Sequence, residues 1–289
     1  MVITALIGLP VEHSVSPTLF SIYAKSSGLE YSHLKIDVRA KNLKNALEAS
    51  KTLNFSGLNV TLPYKMDVIR YLDHVDKEAL KIGAVNTIVN KKGKLYGFNT
   101  DSYGAIESIK DHSKIVSREA VVLGTGGAAR ALVAGLLAGG CTRVVVAYRR
   151  PKSIRTKGIM KDFKGKVEFI TYHDKNLIEK LAEANIVCNA TSCGMAPKST
   201  ESPIPYETLK EVSLKGDFSK KLFFDAIFNP YETQFLKNAK KLGADIQGGT
   251  EMMIYQGVRA FELWTGKKVS RKSVAEAKKM LRKHLLKVK

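Results

Sequence analysis

The sequence predicts a two-domain α/β protein with a cleft between the domains. Strand-like apolar runs alternate with helical patterns through residues 1–101. The alternation begins again near residue 102, where a strand, a glycine turn and a helix follow one another. A chain of 289 residues can bury one large core or two moderate ones. We therefore expect domains at residues 1–101 and 102–249, followed by a helical segment at 250–289.

The first part is predicted to carry a sheet of its own. Helical patterns at residues 16–28 and 41–53 separate several of its strand-like runs. The predicted strands are Ile3–Leu9, Tyr31–Val38, Gly57–Leu62, Ala84–Val89 and Leu95–Phe98.

The second part is predicted to begin with a βαβ crossover. Its first two strands flank a helical run of small residues at 128–140, and small residues allow a helix to pack closely on a sheet. Helices are expected at residues 102–111, 250–266 and 271–289. The predicted strands are Glu119–Leu123, Arg143–Tyr148, Val167–Thr171, Asn185–Ala190 and Leu222–Ile227.

Composition excludes several classes of protein. No apolar run is long enough to span a membrane, and the N-terminal MVITALIGLPV lacks the basic leader of a signal peptide, so it is expected to be a buried strand. Three cysteines without metal-ligand spacing are expected to be free thiols in a reducing cytoplasm. The net charge of +20 would suit nucleic acid, but no nucleic-acid-binding motif is present, and small anionic ligands benefit equally from a positive potential.

The run GLNVTLPYK at positions 57–65 is a candidate site. Alternation places Asn59 and Thr61 on one face of a strand, and Pro63 is expected to end the strand and begin a helix with Lys65 in its first turn. A cation there opposes the helix dipole, so local helix stability does not explain it. Polar groups around a lysine suggest a site for a small polyhydroxylated acid; the alternative is a solvated lysine beside a capped helix.

Three other segments offer partners for this lysine. Asp101 in FNTD either caps the following helix or faces Lys65 and holds its ammonium group. Asn86 in GAVNT either stabilises a turn or contributes to the site. In HSVSP, Ser14 and Ser16 can bind a carboxylate, although Ser16 is also a plausible cap for a helix that begins around Pro17.

The glycine turn after Glu119–Leu123 predicts a dinucleotide site. Gly124 permits a tight turn, whereas Gly126 and Gly127 let backbone amides approach a pyrophosphate at the helix N-terminus. The spacing is G-x-G-G-A-A, with Ala129 at the last small position. Glycine turns also occur without ligands, but the βαβ context favours a nucleotide.

The residues after the second strand predict NADP rather than NAD. An NAD site usually carries an acidic residue there for the ribose 2′-hydroxyl, whereas this chain has Tyr148-Arg149-Arg150. Arginine pairs with a 2′-phosphate that an acidic residue would repel. The alternative is a pair of solvated arginines in a basic protein.

Eight motifs follow the order and approximate spacing of the shikimate dehydrogenase family, which the chain resembles almost end to end. They are GLPVEHSVSP, GLNVTLPYK, GAVNTI, GFNTD, GTGGAAR, NATSCGM, DAIFNP and GGTEMMIYQG. The resemblance implies a cytoplasmic enzyme of the chorismate and aromatic amino acid pathway, which reduces 3-dehydroshikimate to shikimate with NADPH. It implies a substrate domain at 1–101 that the helices of 250–289 complete, and a Rossmann-type NADP domain at 102–249. No metal, membrane or nucleic-acid partner is implied, and the protein is expected to be a monomer or homodimer.

The resemblance also implies roles for individual residues. Lys65 and Asp101 match the catalytic pair, and the substrate residues are Ser14, Ser16, Thr61, Lys65, Asn86, Asp101, Phe228 and Gln256. The cofactor residues are Gly124, Thr125, Gly126, Gly127, Ala128, Tyr148, Arg149, Arg150, Thr191, Ala226 and Gly249. Three positions depart from the family pattern: Tyr148 replaces a frequent Asn, Arg150 a frequent Thr, and Phe228 a common substrate-contacting Tyr.

Three other functions compete with this interpretation. One is a quinate/shikimate dehydrogenase with looser choice of substrate and cofactor; Ser16 in place of a bulkier Thr mildly favours shikimate, and the arginine pair argues against NAD. Another is a nonenzymatic NADP or metabolite sensor, against which the Lys65–Asp101 pair argues. The third is a basic nucleic-acid-binding protein.

Overall fold

The computed structural model describes residues 1–287. The chain folds into two compact units. The first unit comprises Met1–Gly104 and Ile254–Leu281, and the second comprises Ala105–Met253 and the described residues 282–287. Each unit is built on one six-stranded sheet, as the predicted α/β class requires.

The first sheet is assembled from the N-terminal third of the chain. The strands and helices in chain order are β1 (Val2–Gly8), α1 (Ser16–Ser26), β2 (Tyr31–Asp37), α2 (Leu43–Thr52), β3 (Gly57–Val60), β4 (His74–Val75), α3 (Lys77–Ile82), β5 (Thr87–Lys91), β6 (Lys94–Phe98) and α4 (Asp101–Lys110). The strand order is β2-β1-β3-β5-β6-β4. Strands β1, β2 and β3 are parallel to one another, whereas β5 is antiparallel to both β3 and β6.

The parallel pairing of β1 and β3 brings two functional segments to one edge of this sheet. Ile7 is in register with Val60, so the chain leaves both strands at the same edge. The backbone amide of Thr61 continues the pairing by donating to the carbonyl of Ile7 at 2.9 Å. Ser14 and Ser16 follow β1, and Thr61 and Lys65 follow β3, so this carboxyl edge carries four of the predicted site residues.

The second unit contains an entirely parallel sheet. Its elements in chain order are β7 (Glu119–Leu123), α5 (Gly127–Ala138), β8 (Arg143–Tyr148), α6 (Ile154–Asp162), β9 (Glu168–Thr171), α7 (Leu177–Glu183), β10 (Ile186–Asn189), α8 (Tyr206–Lys215), β11 (Leu222–Asp225), α9 (Gln234–Lys241) and β12 (Asp245–Gln247). Two helices follow, α10 (Gly249–Thr265) and α11 (Arg271–Lys287), and their residues Ile254–Leu281 belong to the first unit. Read from β9, the strand order is β9-β8-β7-β10-β11-β12, which is the doubly wound 3-2-1-4-5-6 arrangement.

Both faces of this second sheet are buried. Along β7, Ala120 and Val122 pack into one apolar cluster, whereas Val121 and Leu123 pack into the other. Strands covered by helices on both sides read as continuous apolar runs, which explains why the sequence predicts β7 and β8 at their observed bounds. The predicted Rossmann-type character of this unit is therefore confirmed.

Several predicted boundaries were wrong because tertiary contacts override local pattern. Strand β5 begins at Thr87 rather than Ala84, and the short strands β4 and β12 were not predicted. No helix begins at Pro63: Lys65 lies in a turn before a short 3-10 helix at Asp67–Tyr71. The dipole argument about a first-turn cation therefore does not apply to Lys65.

The end of α10 is attached to the first sheet through a tryptophan. The indole Nε1 of Trp264 donates to the carbonyl of Ile88 in β5 at 2.8 Å. A Cβ atom at position 57 would lie 2.2 Å from both that carbonyl and the indole nitrogen, so Gly57 is required for this close approach. Trp264 is 8% exposed, and its ring packs beside those of Phe20 and His33.

A neutral histidine is buried in the same aromatic cluster. His33 Nδ1 lies 2.8 Å from the hydroxyl of Thr4, which also lies 2.6 Å from the hydroxyl of Tyr31. Its Nε2 is buried without a hydrogen-bond partner among the described residues. Burial lowers the pKa of His33 to about 3. The folded state therefore keeps this imidazole uncharged at any pH near neutral.

We predict that the free energy of unfolding falls less steeply with decreasing pH in the His33→Asn variant than in the wild type. The unfolded chain protonates His33 near its ordinary pKa of about 6.5, whereas the folded chain resists protonation until about pH 3. Stability is thus fully present above pH 6.5 and is lost as the pH falls, by about 1.4 kcal/mol per pH unit for this group. Urea unfolding of both proteins at pH 7 and pH 5 measures it. Other groups titrate equally in both proteins, so identical losses would contradict the prediction.

No helix within residues 1–287 combines the length and apolar character needed to cross a bilayer.

Candidate active site and cofactor site

An ion pair joins two of the predicted site residues in the first unit. Lys65 Nζ donates to Asp101 Oδ2 at 2.6 Å. The side chains are 19% and 7% exposed, so the pair is largely shielded while the lysine still reaches solvent. The backbone carbonyl of Lys65 accepts from the amide of Val85 at 2.7 Å, which fixes the turn that carries the lysine. The predicted contact between these residues is confirmed, and Lys65 is not simply a solvated lysine.

Asn86 is the centre of a buried hydrogen-bond network beside this pair. Its Nδ2 donates to Asp101 Oδ1 at 2.8 Å and to Thr100 Oγ1 at 3.0 Å. Its Oδ1 accepts from the backbone amide of Thr100 at 2.7 Å and from the hydroxyl of Thr87 at 3.2 Å. Asp101 is therefore held on one oxygen by Asn86 and on the other by Lys65. This arrangement fixes the plane of the carboxylate.

The alternative role of Asp101 as a helix cap is wrong. Asp101 is the first residue of α4, and the side chain that accepts from the first-turn amide of Ser102, at 3.1 Å, is that of Asn99. The Asp101 carboxylate is thus committed to Lys65 and Asn86. FNTD combines the two functions in neighbouring residues, with Asn99 as the cap and Asp101 as the site carboxylate.

Two further substrate candidates contact or neighbour this network. Gln256 in α10 places its Oε1 3.4 Å from Asn86 Nδ2 and 3.4 Å from the hydroxyl of Thr100. Thr61 is half-buried directly after β3. Asn59, two residues earlier, is buried and donates from Nδ2 to the carbonyl of Asn86 at 3.2 Å. The structure therefore groups Lys65, Asp101, Asn86 and Gln256 by direct hydrogen bonds.

The two serines after β1 are paired with each other. The hydroxyls of Ser14 and Ser16 lie 3.0 Å apart, and the backbone amide of Ser16 approaches Ser14 Oγ at 3.3 Å. Ser16 is the first residue of α1, the cap position is occupied by Val15, and no side chain among the described residues caps the start of this helix. The predicted capping role of Ser16 is therefore wrong. Ser14 is half-buried and Ser16 is buried, which leaves one hydroxyl accessible and the other supporting it.

The glycine turn in the second unit fits a pyrophosphate. Gly124 has a φ of +115°, and a Cβ there would lie 3.0 Å from Thr191 Cγ2, so a larger residue would be strained and crowded. The space beside Gly126 is open, and α5 begins at Gly127 without a side-chain cap. Uncapped amides at a helix N-terminus can donate hydrogen bonds to a bound anion. Thr125 turns its hydroxyl to that of Thr156, 3.2 Å away, and Ala128 lies in the first turn of α5.

The predicted 2′-phosphate residues follow directly after β8. Tyr148 is half-buried, whereas Arg149 and Arg150 are exposed, and neither arginine forms an ion pair within the described part of the chain. Arg149 lies near the half-buried Tyr172: burial and Cys193 raise the pKa of this phenol, and the charge of Arg149 opposes them. Two arginines without acidic partners are available for a phosphate dianion.

The remaining predicted cofactor residues lie after β10, β11 and β12. The Thr191 amide and hydroxyl donate to Asn189 Oδ1 at 3.0 and 2.7 Å. Ala226 follows β11, and the amide of Gly249 donates to the carbonyl of Ile227 at 3.0 Å. These positions lie at the carboxyl edge of the sheet, where doubly wound folds bind ligands. Phe228 is half-buried in the segment after β11, in the second unit.

Sequence reasoning did not assign roles to several residues that hold the site. Thr87 and Thr100 complete the network around Asn86, and their hydroxyls lie 3.1 Å apart. Asn189 and Asp225 meet at the ends of β10 and β11. The sequence does contain a signal for Asn189 and Asp225: each is a polar residue at the end of an apolar strand.

Sequence-family models match almost all of this architecture. The shikimate dehydrogenase substrate binding domain matches residues 6–88, shikimate / quinate 5-dehydrogenase matches 107–233, and the shikimate 5′-dehydrogenase C-terminal domain matches 249–277. Within residues 1–287 no group of three or more histidine, cysteine, aspartate or glutamate side chains is arranged to hold a metal ion.

Individual relatives extend the match to nearly full length. Shikimate dehydrogenase (NADP(+)) of Methanosphaera stadtmanae is 39% identical over 98% of this chain and 97% of the relative, and that of Dehalococcoides mccartyi is 39% identical over 91% and 90%. The crystal structure of shikimate 5-dehydrogenase from Thermus thermophilus, in complex with NADP(H) and shikimate, superposes with a TM-score of 0.84 at 34% identity over 97% of this chain and 100% of that chain. Order of motifs, strand order and full-length identity agree, and the chain belongs to the shikimate dehydrogenase family.

Proposed function

We propose that this protein is an NADP-dependent shikimate dehydrogenase that reversibly reduces 3-dehydroshikimate to shikimate, a step of aromatic amino acid biosynthesis. The observation that carries the proposal is the shielded Lys65–Asp101 pair, with Lys65 Nζ 2.6 Å from the carboxylate and Asn86 on the other oxygen. A binding module needs no such pair. A group that exchanges a proton with an alcohol does, because its charge and position must both be controlled.

In this proposal the chain supplies binding, orientation and a proton. Bound NADPH supplies the hydride that goes to the carbonyl carbon of the substrate. Lys65 donates a proton to the oxygen of that carbonyl, and in the reverse direction it accepts the proton of the alcohol. Asp101 accepts a hydrogen bond from Lys65 Nζ and so orients it. Asn86, Thr61 and Gln256 bind ring hydroxyls, and Ser14 and Ser16 bind the carboxylate.

We also propose that different segments of the chain bind the substrate and the cofactor. Residues 1–101, completed by 250–289, bind the substrate, and residues 102–249 bind NADP. Tyr148, Arg149 and Arg150 receive the 2′-phosphate. The partners are small molecules rather than nucleic acid or membrane, and the enzyme acts as a cytoplasmic monomer or homodimer.

The function is tested by absorbance at the reduced-nicotinamide band, with shikimate or quinate crossed against NADP or NAD. We expect turnover with shikimate and NADP to be well above that with the other three combinations. Turnover of quinate at a comparable rate would favour a quinate/shikimate dehydrogenase. Binding of NADP without turnover of either acid would overturn the proposal in favour of a sensor.

We predict that Ser14→Ala and Ser16→Ala each raise KM for shikimate, with a smaller effect on kcat. A hydrogen bond to a carboxylate contributes about 1.5–3 kcal/mol, so losing one weakens affinity roughly ten- to a hundredfold. Because the two hydroxyls are hydrogen-bonded to each other, the double variant should lose less than the product of the single losses.

Steady-state kinetics of the three variants measure both effects. Ser27→Ala at the other end of α1 is the matched control, since its hydroxyl only caps the carbonyl of Tyr23. Unchanged KM in both single variants would show that HSVSP serves only to start α1.

A further inference from the structure

Asp225 is a fully buried carboxylate at the end of β11. Its residue is 0% exposed, and no lysine, arginine or histidine forms an ion pair with it among residues 1–287. Neutral groups alone stabilise it. Oδ1 accepts from the amide of Ile227 at 2.9 Å, Oδ2 accepts from the hydroxyl of Thr233 at 2.7 Å, and Asn189 Nδ2 lies 3.2 and 3.1 Å from the two oxygens.

Burying a carboxylate at position 225 lowers the stability of the folded protein. Burial raises the pKa of Asp225 to about 6, so the folded protein carries a carboxylate that its surroundings disfavour. A buried acid without a cation is generally less stable than an apolar residue of similar size. The neighbouring residues of β11, Leu222, Phe223 and Phe224, are apolar and buried, so an apolar residue would suit this strand. The carboxylate therefore needs a reason other than core packing.

The network around Asp225 joins two chain segments that follow adjacent strands. Asn189 is the register partner of Asp225 and also donates from Nδ2 to the carbonyl of Cys193 at 3.2 Å. Through Asn189 the carboxylate holds the segment 191–193 after β10. Through Ile227 and Thr233 it holds the segment 226–233 after β11. We call these two segments the β10 loop and the β11 loop.

The two loops lie in the half of the sheet that does not carry the glycine turn. The doubly wound fold consists of two mononucleotide-binding halves. Gly124 and Arg149 follow β7 and β8 and occupy the half that suits the adenosine phosphates. The β10 and β11 loops follow strands of the other half at the same carboxyl edge, where the second mononucleotide of a dinucleotide belongs.

We propose that Asp225 is a positioning residue which, with Asn189 and Thr233, fixes the β10 and β11 loops in the conformation that receives the nicotinamide half of NADP. The inference rests on the proposed function. Asp225 itself touches no ligand in this account, because all its acceptor positions are taken by Asn189, Ile227 and Thr233. Its effect on binding passes through the backbone of the two loops.

The test compares a complete and a truncated cofactor by calorimetric binding, which does not depend on turnover. NADP reaches both halves of the sheet, whereas adenosine 2′,5′-bisphosphate lacks the nicotinamide half. Asp225→Asn replaces one of the two acceptor oxygens with an NH2 donor, which then faces the donor of either Ile227 or Thr233 and that of Asn189. We expect it to weaken NADP about tenfold or more and adenosine 2′,5′-bisphosphate less than about twofold. Asp217→Asn, an exposed acid that caps a short helix before β11, should alter neither.

A second pair of variants makes the test independent of whether Asp225→Asn folds. Thr233→Val removes the hydroxyl that donates to Asp225, and Thr233→Ser keeps it. We expect Thr233→Val to weaken NADP severalfold and Thr233→Ser to restore affinity to within about twofold of the wild type. A purely structural role predicts instead that the valine variant lowers thermal stability while both ligands keep their affinities.

Three results would count against the proposal. Unchanged NADP affinity in the Thr233→Val variant, or equal weakening of both ligands, would overturn it while leaving the proposed function intact. Wild-type protein that binds adenosine 2′,5′-bisphosphate but not NADP would overturn both this inference and the proposed function. Wild-type protein that binds neither ligand would overturn the proposed function itself.

Discussion

Lys65→Met is expected to lower kcat for shikimate oxidation by about 10²–10⁴-fold, while NADP binding is unchanged. That range is what positioned acid–base groups typically contribute. Methionine matches the length of the lysine side chain and removes both its proton and its charge. Asp101 then remains as a largely buried carboxylate with Asn86 as its remaining described side-chain donor. We expect Asp101→Asn to be severely impaired as well, because its single, uncharged amide oxygen cannot accept from both Lys65 Nζ and Asn86 Nδ2.

Lys65→Arg separates proton transfer from simple charge. Arginine keeps a cation beside Asp101 but does not release its proton in proteins, so a proton-transfer role predicts a large loss in this variant too. Steady-state kinetics and calorimetric NADP binding on the same preparations measure both quantities. Lys94→Met, at an exposed position in β6, is the control. If Lys65→Met retained more than about a tenth of the wild-type kcat, Lys65 would not be a catalytic residue.

The second large effect is expected in cofactor choice. Arg149 and Arg150 are exposed after β8, where an acidic residue would normally select NAD. A guanidinium binds the 2′-phosphate bidentately, so the wild type should prefer NADP by well over tenfold in kcat/KM. Arg149→Ala should erode the preference by raising KM for NADP with little change for NAD. Arg149→Asp combined with Arg150→Ala should reverse it.

Kinetics with both cofactors at two ionic strengths check this assignment. Salt should weaken NADP more than NAD, because the extra attraction is partly screened. Arg118→Ala is the matched control, since Arg118 precedes β7 and thus lies at the opposite edge of the sheet. Equal use of NAD and NADP by the wild type would refute the role given to the arginine pair.

The sequence predicted the second sheet better than the first for a physical reason. Strands β7 and β8 are covered on both faces, so they are continuous apolar runs whose ends are clear. Strand β5 starts later than expected because Val85 donates its amide to the turn at Lys65 instead of to a neighbouring strand. Among the described strands, the two-residue strand β4 pairs with β6 alone, and no local pattern is long enough to indicate it.

The sequence predicted the residues whose type and motif indicate a chemical role. It did not predict the residues whose role depends on a contact made only in the folded protein. The Lys65–Asp101 contact followed from residue types and from the family resemblance. Whether Asp101 or Asn99 caps α4 was not decidable from the sequence, because both side chains can accept from a first-turn amide. Asp225 lies in the DAIFNP motif, yet its role depends on Asn189 across the sheet, and that pairing exists only after folding.

The hydrogen bond from Trp264 to Ile88 has a consequence for spectroscopy. The sequence contains a single tryptophan, and it lies in the unit that carries Lys65 and Asp101. Tryptophan fluorescence therefore follows the unfolding of that unit and does not follow the unfolding of the Rossmann-type unit. Far-ultraviolet circular dichroism sees the helices of both units. Superimposing the two denaturation curves will tell whether the units melt together, without any label or truncation of the chain.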